Sequence, residues 1–174
     1  MPSRFASFVA LAFAASTITV RAAEVPADAQ KAIAADYQLN CTAAINPTDA
    51  NLAVAFGLLA PTFVDVDVKG QKHPRDQVVS TAQAQMKQVH TEVCDPTIES
   101  QTLNSDGSIT AIAAVHVAGT VSTPNGDHQL DLSTRSQDTW QNVKGTWLET
   151  QSQELHTTAK VDGHVVEDEG QPGA

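Results

Sequence analysis

Basic residues are scarce in this sequence. Ten lysines and arginines stand against twenty aspartates and glutamates among 174 residues, which gives a formal net charge of −10. A surface of that sign repels phosphate backbones and the headgroups of anionic lipids. We therefore expect no nucleic-acid partner and no binding to an anionic membrane surface.

Motifs that indicate a cofactor or a metal are also missing. The six histidines show no His-x-His or other short metal-binding spacing, and the sequence contains neither a glycine-rich phosphate loop nor a serine elbow. We expect no cofactor and no metal. Whether the protein is an enzyme stays open on these grounds.

Long apolar runs are absent except at the N-terminus. Arg4 precedes an apolar run over residues 5–20, and Val20-Arg21-Ala22 then places small or apolar residues at the two positions that signal peptidase reads. The run is shorter than the roughly 20 apolar residues of a spanning helix. We predict a signal peptide over residues 1–22 and a secreted or periplasmic mature chain without a membrane span.

Cysteine occurs only twice, at Cys41 and Cys94, and both residues follow the predicted signal peptide. Two cysteines in an oxidising compartment are more often paired than free. We predict a disulfide between them. The alternative is a pair of buried, unreactive thiols.

Three segments show helical periodicity. The first repeats Ile33, Tyr37 and Cys41 at intervals of four residues, the second is expected to end at Pro61, and the third covers residues 74–88. Proline stops the second segment because it lacks the amide hydrogen that a helix interior requires. These patterns predict three helices in the first half of the chain.

The rest of the domain alternates with a period of two residues, as strands do. The alternating segments are 63–68, 92–103, 109–117 and a long hairpin over 129–155 that turns at 143–145. Helices that are segregated from antiparallel strands indicate an α+β fold. We predict one domain over residues 23–164 and, because residues 165–174 are acidic and poor in apolar side chains, a disordered tail.

A sheet covered by helices on one face leaves the other face for water or for a second subunit. The predicted strands carry many threonine, serine and glutamine side chains. We therefore expect a homodimer whose contact has mixed polarity.

Three stretches carry a resemblance to a known superfamily. They are Asn46-Pro47-Thr48-Asp49, Ala60-Pro61-Thr62-Phe63-Val64-Asp65, and the hairpin residues Arg135, Asp138-Thr139-Trp140 and Gly145-Thr146-Trp147. In these the chain resembles the nuclear transport factor 2-like superfamily, and within it the small exported SnoaL-like members. The resemblance implies three helices packed on a curved, mainly antiparallel sheet, a conical α+β barrel that encloses a cavity.

Proteins of this fold include isomerases, dehydratases, cyclases and binding proteins, so the fold alone does not select a function. We consider three interpretations. The first is an exported domain that binds a small apolar molecule without an assignable reaction. The second is an enzyme that uses aspartates of the cavity for proton transfer, and the third is a domain for assembly in the cell envelope.

Two aspartates are the candidate catalytic residues. The resemblance implies that Asp67, near the end of the first strand, is the base, and that Asp138 is the acid that holds an enolate oxygen, as in the steroid isomerases of the superfamily. Two carboxyl groups in an apolar cavity would have pKa values that desolvation moves apart. In the alternative, Asp67 is a turn residue, and Asp138 bonds locally or pairs with Arg135.

The candidate ligand-binding residues are Tyr37, His116 and Trp140. Tyr37 is the only tyrosine and lies one helical turn before the position that the superfamily would give to a helix tyrosine. Trp140 shares a strand face with Asp138 because it lies two residues further on. His116 lies in the middle of a strand, where a hydrogen-bonded histidine of the sheet is the alternative.

Overall fold

Three helices pack on a curved, seven-stranded sheet in a computed structural model that describes residues 24–171. The elements are α1 (Ala27–Ile45), α2 (Asp49–Gly57), β1 (Leu59–Val66), β2 (Lys72–Pro74), α3 (Arg75–Met86), β3 (Val89–Leu103), β4 (Ile109–Thr123), β5 (Gly126–Val143), β6 (Thr146–Val161) and β7 (His164–Gly170). The predicted signal peptide, residues 1–22, lies outside the described range.

The sheet confirms the predicted α+β class. Its order is β2-β1-β6-β5-β4-β3, with β7 also paired to β6, and all pairs are antiparallel except β1 with β6. Among the described strands β2 and β3 are the two ends of this order. The sheet is therefore open, and it does not close into the barrel that the resemblance implied.

The helix before β1 ends earlier than predicted. The Thr48 side chain caps α2 by accepting a hydrogen bond from the amide of Asn51 at 3.2 Å, and the helix ends at Gly57. Leu59, which the periodicity assigned to this helix, begins β1 instead. The residue before Pro61 is biased toward extended backbone, so the change to a strand occurs upstream of the proline and not at it.

The central hairpin is longer than predicted. β5 and β6 pair from Val143↔Thr146 to Leu130↔Val161, and the turn between them uses left-handed backbone at Lys144 and Gly145. Two register shifts interrupt the pairing, one between Arg135 and Ser136 and one between Thr139 and Trp140. Such irregularities bend a sheet.

The strand β7 covers His164–Gly170, which corrects the predicted disordered tail over residues 165–170. Residues 172–174 of that predicted tail lie outside the described range. β7 pairs with the second half of β6, while β1 pairs with the first half of the same edge. Lys69 and Glu169 form an ion pair at 2.9 Å between the β1–β2 turn and β7. The acidic composition predicted disorder, but the free edge of β6 provides backbone partners that composition does not reveal.

The main core lies between α1 and the central strands. Ala29, Ile33 and Tyr37 of α1 pack with Ile109 of β4 and Trp140 of β5. A second cluster includes Leu52 and Phe56 of α2, and Val79, Ala82 and Met86 of α3 pack against it.

The predicted disulfide is confirmed. Cys41 near the end of α1 is bonded to Cys94 of β3, with a Cα–Cα distance of 5.3 Å. The bond fixes the C-terminal half of α1 against the edge strand β3.

None of the helices in the described part of the chain has the length and apolar character needed to cross a membrane.

Candidate functional site

Tyr37 and Asp138 meet beneath α1. The Tyr37 hydroxyl donates a hydrogen bond to Asp138 Oδ2, and both residues are buried. Ser136 donates to the same oxygen at 2.9 Å, and Ser152 donates to Oδ1 at 2.8 Å. The structure thus brings together two of the candidate site residues, which come from α1 and β5.

Trp140 completes this group. Its ring lies edge-on to Tyr37, with ring centroids 6.1 Å apart, and the residue is 1% exposed. Within residues 24–171 its indole Nε1 has no hydrogen-bond partner. Trp140 therefore packs against Tyr37 and is buried on the same strand face as Asp138.

Burial controls the titration of Asp138. Desolvation raises the pKa of its carboxyl, while the hydrogen bonds from Tyr37, Ser152 and Ser136 act in the opposite direction. The pKa of Tyr37 is itself raised by burial and by the neighbouring Asp138. The buried network therefore favours a neutral tyrosine hydroxyl.

Two further carboxyl groups, which the sequence analysis did not select, are buried near this network. Asp36 on α1 is 2% exposed, and desolvation followed by repulsion from Asp138 raises its pKa to about 7. Glu149 on β6 is 8% exposed, and burial, then Asp138 and Asp36, raise its pKa well above the usual value. A signal for Asp36 was present in the sequence, because it follows Ile33 by three residues and so lies on the buried face of α1.

Asp67 lies apart from the buried carboxyls, in the turn after β1. Its Oδ1 accepts hydrogen bonds from the amides of Lys69 at 2.9 Å and Gln71 at 2.8 Å, and its Oδ2 lies 3.3 Å from His73 Nε2. These bonds, the one from Gln71 first, lower the pKa of Asp67. This geometry is that of the alternative interpretation, in which Asp67 is a turn residue.

Asp65 occupies the position on β1 that the sequence analysis gave to Asp67. In the sheet Asp65 is paired with Ser152 of β6, and Ser152 is paired in turn with Asp138 of β5. Side chains in one such row point to the same face. Asp65 therefore shares the helix-covered face with Asp138, two strands away.

A cavity of about 290 Å³ opens between β1, β2 and α3. The residues that line it are Asp65, His73, Gln77, Val78, Thr81, Ala82 and Gln85. Burial is the largest influence on Asp65 and raises its pKa, although the nearby His73 opposes the shift. The cavity thus combines a half-buried carboxyl with polar and apolar side chains of α3. Asp138, two strands away from Asp65, is not among the lining residues.

His116 does not face the helices. It belongs to the set of β4 positions that alternates with the buried Ala111 and Ala113, and its Nε2 lies 3.3 Å from Asp131 Oδ2. Arg135 is on the same outer face and pairs with Glu99 at 2.9 Å, not with Asp138. The structure therefore separates His116 from Tyr37, Asp138 and Trp140.

No metal centre is assembled among residues 24–171, since no three His, Cys, Asp or Glu side chains there are arranged to hold an ion.

Comparisons by sequence find no relative. No protein-family model matches the chain, and no curated protein matches it either.

Solved structures show the same fold. An NTF2-like protein from Cytophaga hutchinsonii superposes with a TM-score of 0.54 and 16% identity, over 72% of this chain and 95% of the other. A protein from Novosphingobium aromaticivorans that is provisionally assigned as a scytalone dehydratase gives 0.59 and 13%, over 83% and 93%. An NTF2-like protein of unknown function in nutrient uptake from Rhodospirillum rubrum gives 0.52 and 16%, over 70% and 95%. The chain therefore has the NTF2-like fold, which confirms the predicted resemblance at the level of structure.

Proposed function

We propose that this protein is an exported, SnoaL-like domain that binds a small molecule in the cavity between α3 and β1–β2. The observation that carries the proposal is the cavity itself, about 290 Å³ in volume. Apolar Val78 and Ala82 lie in its lining beside five polar residues, among them Asp65 and His73, so the cavity combines an apolar surface with several groups that can orient a ligand. The cavity suits a ligand with a small apolar body and one polar end.

The proposal is tested by NMR titration with cyclohexanol, which has these two features. Amide shifts at β1 and α3 should change saturably, and Thr81→Trp should abolish the change because the indole fills the cavity. Ala84→Trp adds the same ring at an exposed position of α3 that does not line the cavity, and it should leave binding unchanged. Shift changes that stay the same in Thr81→Trp would place binding elsewhere.

Export is part of the same proposal. The predicted signal peptide and the Cys41–Cys94 disulfide both suit an oxidising compartment. The protein should be recovered outside the cytoplasm, and its N-terminal sequence should begin after Ala22. Recovery from the cytoplasm alone would contradict export, and a retained N-terminus would contradict cleavage of a signal peptide.

We propose a homodimer formed through the outer face of the sheet. A groove of about 610 Å³ on that face is lined partly by Ile112, Arg135 and Leu155, a mixture of apolar and charged side chains. Light scattering at micromolar concentration should give twice the monomer mass, and Ile112→Asp should restore the monomer. A monomer mass for the unaltered protein would rule out this contact.

A second candidate function is proton abstraction next to a carbonyl, with Asp65 as the base in place of Asp67. It is favoured by one observation, that Asp65 lines the cavity with a raised pKa and lies in one row with Asp138. A carboxyl with a raised pKa is a stronger base once it is ionised. Cyclohexanone in D₂O should then exchange its α-hydrogens faster with the protein than without it, and Asp65→Asn should remove the acceleration. Exchange at the buffer rate would exclude this activity.

A further inference from the structure

We propose that the cavity between α3 and β1–β2 selects a ligand that carries a protonated amine, which the carboxylate of Asp65 binds. This inference rests on the proposed small-molecule site and names the chemical class of its ligand. It follows from what surrounds the Asp65 side chain.

Asp65 has no cationic side chain of lysine or arginine in the cavity. The lining contains neither residue, and its helix wall presents only neutral groups from Gln77, Thr81 and Gln85. Arg75 begins α3, but it does not line the cavity. Its guanidinium instead donates hydrogen bonds to the carbonyls of Phe56 at 2.9 Å and Leu59 at 3.4 Å.

The one ionisable neighbour in the lining is already engaged. His73 lies level with Asp65 in the β1–β2 pair, but its Nε2 is 3.3 Å from Asp67 Oδ2 and its Nδ1 is 3.3 Å from Gln77 Nε2. No side chain within residues 24–171 donates a hydrogen bond to Asp65. The carboxylate accepts one hydrogen bond from the backbone amide of Val66, and the rest of its acceptor capacity remains for a ligand.

The charges that act on Asp65 are negative apart from that of His73. Burial raises the pKa of Asp65 most, His73 lowers it, and repulsion from Asp138 and Asp67 raises it further. The whole chain has a formal net charge of −10. An anionic ligand would meet this repulsion, and the one basic side chain of the lining, His73, already lies against Asp67. An ammonium group would relieve the repulsion instead. A charge-assisted hydrogen bond in a half-buried site is also stronger than one between neutral groups.

The inference is tested with two probes that share one ring, cyclohexylamine and cyclohexanol. At pH 7.5 the amine is protonated, as alkyl amines of the lysine type are. We expect cyclohexylamine to bind about tenfold more tightly than cyclohexanol, the difference that a hydrogen bond to a charged partner supplies. Both titrations are followed by the amide shifts of β1 and α3.

Three variants decide the origin of the preference. Asp65→Asn should bind both probes equally, while Asp65→Glu, which keeps the charge, should retain a preference for the amine. Asp76→Asn removes the same charge from a 98% exposed side chain at the start of α3 and should behave as the unaltered protein does. A preference that survives in Asp65→Asn would overturn the inference.

Failure of the inference is distinguishable from failure of the proposed function. If both probes bind equally to the unaltered protein, the site exists but is not selective for amines. If neither probe binds, the proposed function itself is wrong. Should Asp65→Asn fail to fold, acidification of the unaltered protein replaces it. Protonation of Asp65 should then weaken amine binding and leave cyclohexanol binding unchanged, and equal weakening of both would contradict the inference.

Discussion

Asp36 is a buried acid with little to compensate its charge. One of its carboxyl oxygens accepts a long hydrogen bond of 3.4 Å from Asn40, and within residues 24–171 the other has no partner. An ionised carboxylate in such a place is unfavourable because desolvation is not repaid by hydrogen bonds. Burial and then repulsion from Asp138 raise the pKa of Asp36 to about 7, so the protonated form is the stable one in the fold below that pH.

This residue predicts how stability depends on pH. The folded pKa of Asp36 lies above the unfolded value of 3.8, so the acid costs no stability below the unfolded pKa. The cost grows as pH rises toward 7 and is complete above it. Asp36→Asn should therefore be about 2 kcal/mol more stable than the unaltered protein at pH 8.5, and the difference should vanish near pH 3.5. Urea unfolding at both values measures it.

The control for this prediction is Asp28→Asn, an exposed acid at the start of the same helix. It removes one negative charge from α1 without altering a buried group. The stability difference between Asp28→Asn and the unaltered protein should not grow in favour of the variant between pH 3.5 and pH 8.5, as it should for Asp36→Asn. A stability gain for Asp36→Asn that is equal at low and high pH would show that the buried charge is not its cause.

At the scale of the elements, the packing of β3 against β4 depends on one glycine. A Cβ built on Gly119 would lie 2.2 Å from the backbone carbonyl oxygen of His90, next to the register shift between Thr91 and Val93. Backbone atoms cannot move aside as the end of a flexible side chain can. Gly119→Ala should therefore cost about 2 kcal/mol or more of the free energy of unfolding.

Gly57 provides the matched comparison. It is the last residue of α2, its φ is not in the left-handed region, and a Cβ there would meet nothing within 4 Å. Gly57→Ala should leave stability unchanged or raise it by about 0.5 kcal/mol, since alanine restricts the unfolded chain. Urea unfolding of the two variants under the same conditions checks both values. If Gly119→Ala and Gly57→Ala were equally stable, β3 and β4 would be able to move apart at Gly119 at little cost.

For the whole molecule, the disulfide links the helical layer to the edge of the sheet. Cys41 and Cys94 are 53 residues apart in sequence, so the bond restricts a long loop of the unfolded chain. The double variant Cys41→Ser with Cys94→Ser should lose about 4 kcal/mol of stability. Urea unfolding with and without dithiothreitol measures this loss. Reductant should lower the free energy of unfolding of the unaltered protein to that of the double variant, and it should not change the value for the double variant. If oxidised and reduced protein unfold at the same urea concentration, the bond does not contribute.

The NTF2-like fold also decides which surfaces remain for function. One face of the sheet is covered by helices and holds the buried carboxyls, and the other carries His116 and Arg135. The two proposed contacts, a small ligand and a second subunit, therefore lie on opposite faces. A substitution in one of them leaves the other intact, which allows the two proposals to be tested separately.

Local patterns in the sequence were sufficient for the order and type of the three helices and the long strands, the disulfide partners and the shared strand face of Asp138 and Trp140. These depend on side-chain periods of 3.6 and 2 residues and on the number of cysteines, which the chain carries without reference to its fold. Where prediction failed locally, a tertiary contact was the reason. β7 forms because β6 leaves half of its edge free, and composition contains no record of that edge.

Only the tertiary structure decided which acids come together. Asp36, Asp65, Asp138 and Glu149 lie on four different elements, and strand register and the packing of α1 place them near one another. The choice of Asp65 over Asp67 has the same origin. Asp65 and Asp67 are two residues apart, so they would share a face if the strand continued. However, β1 ends at Val66, and the carboxylate of Asp67 accepts hydrogen bonds from amides of the following turn. A strand period shows which residues share a face, whereas the point at which a strand stops facing a cavity depends on its partners across the sheet.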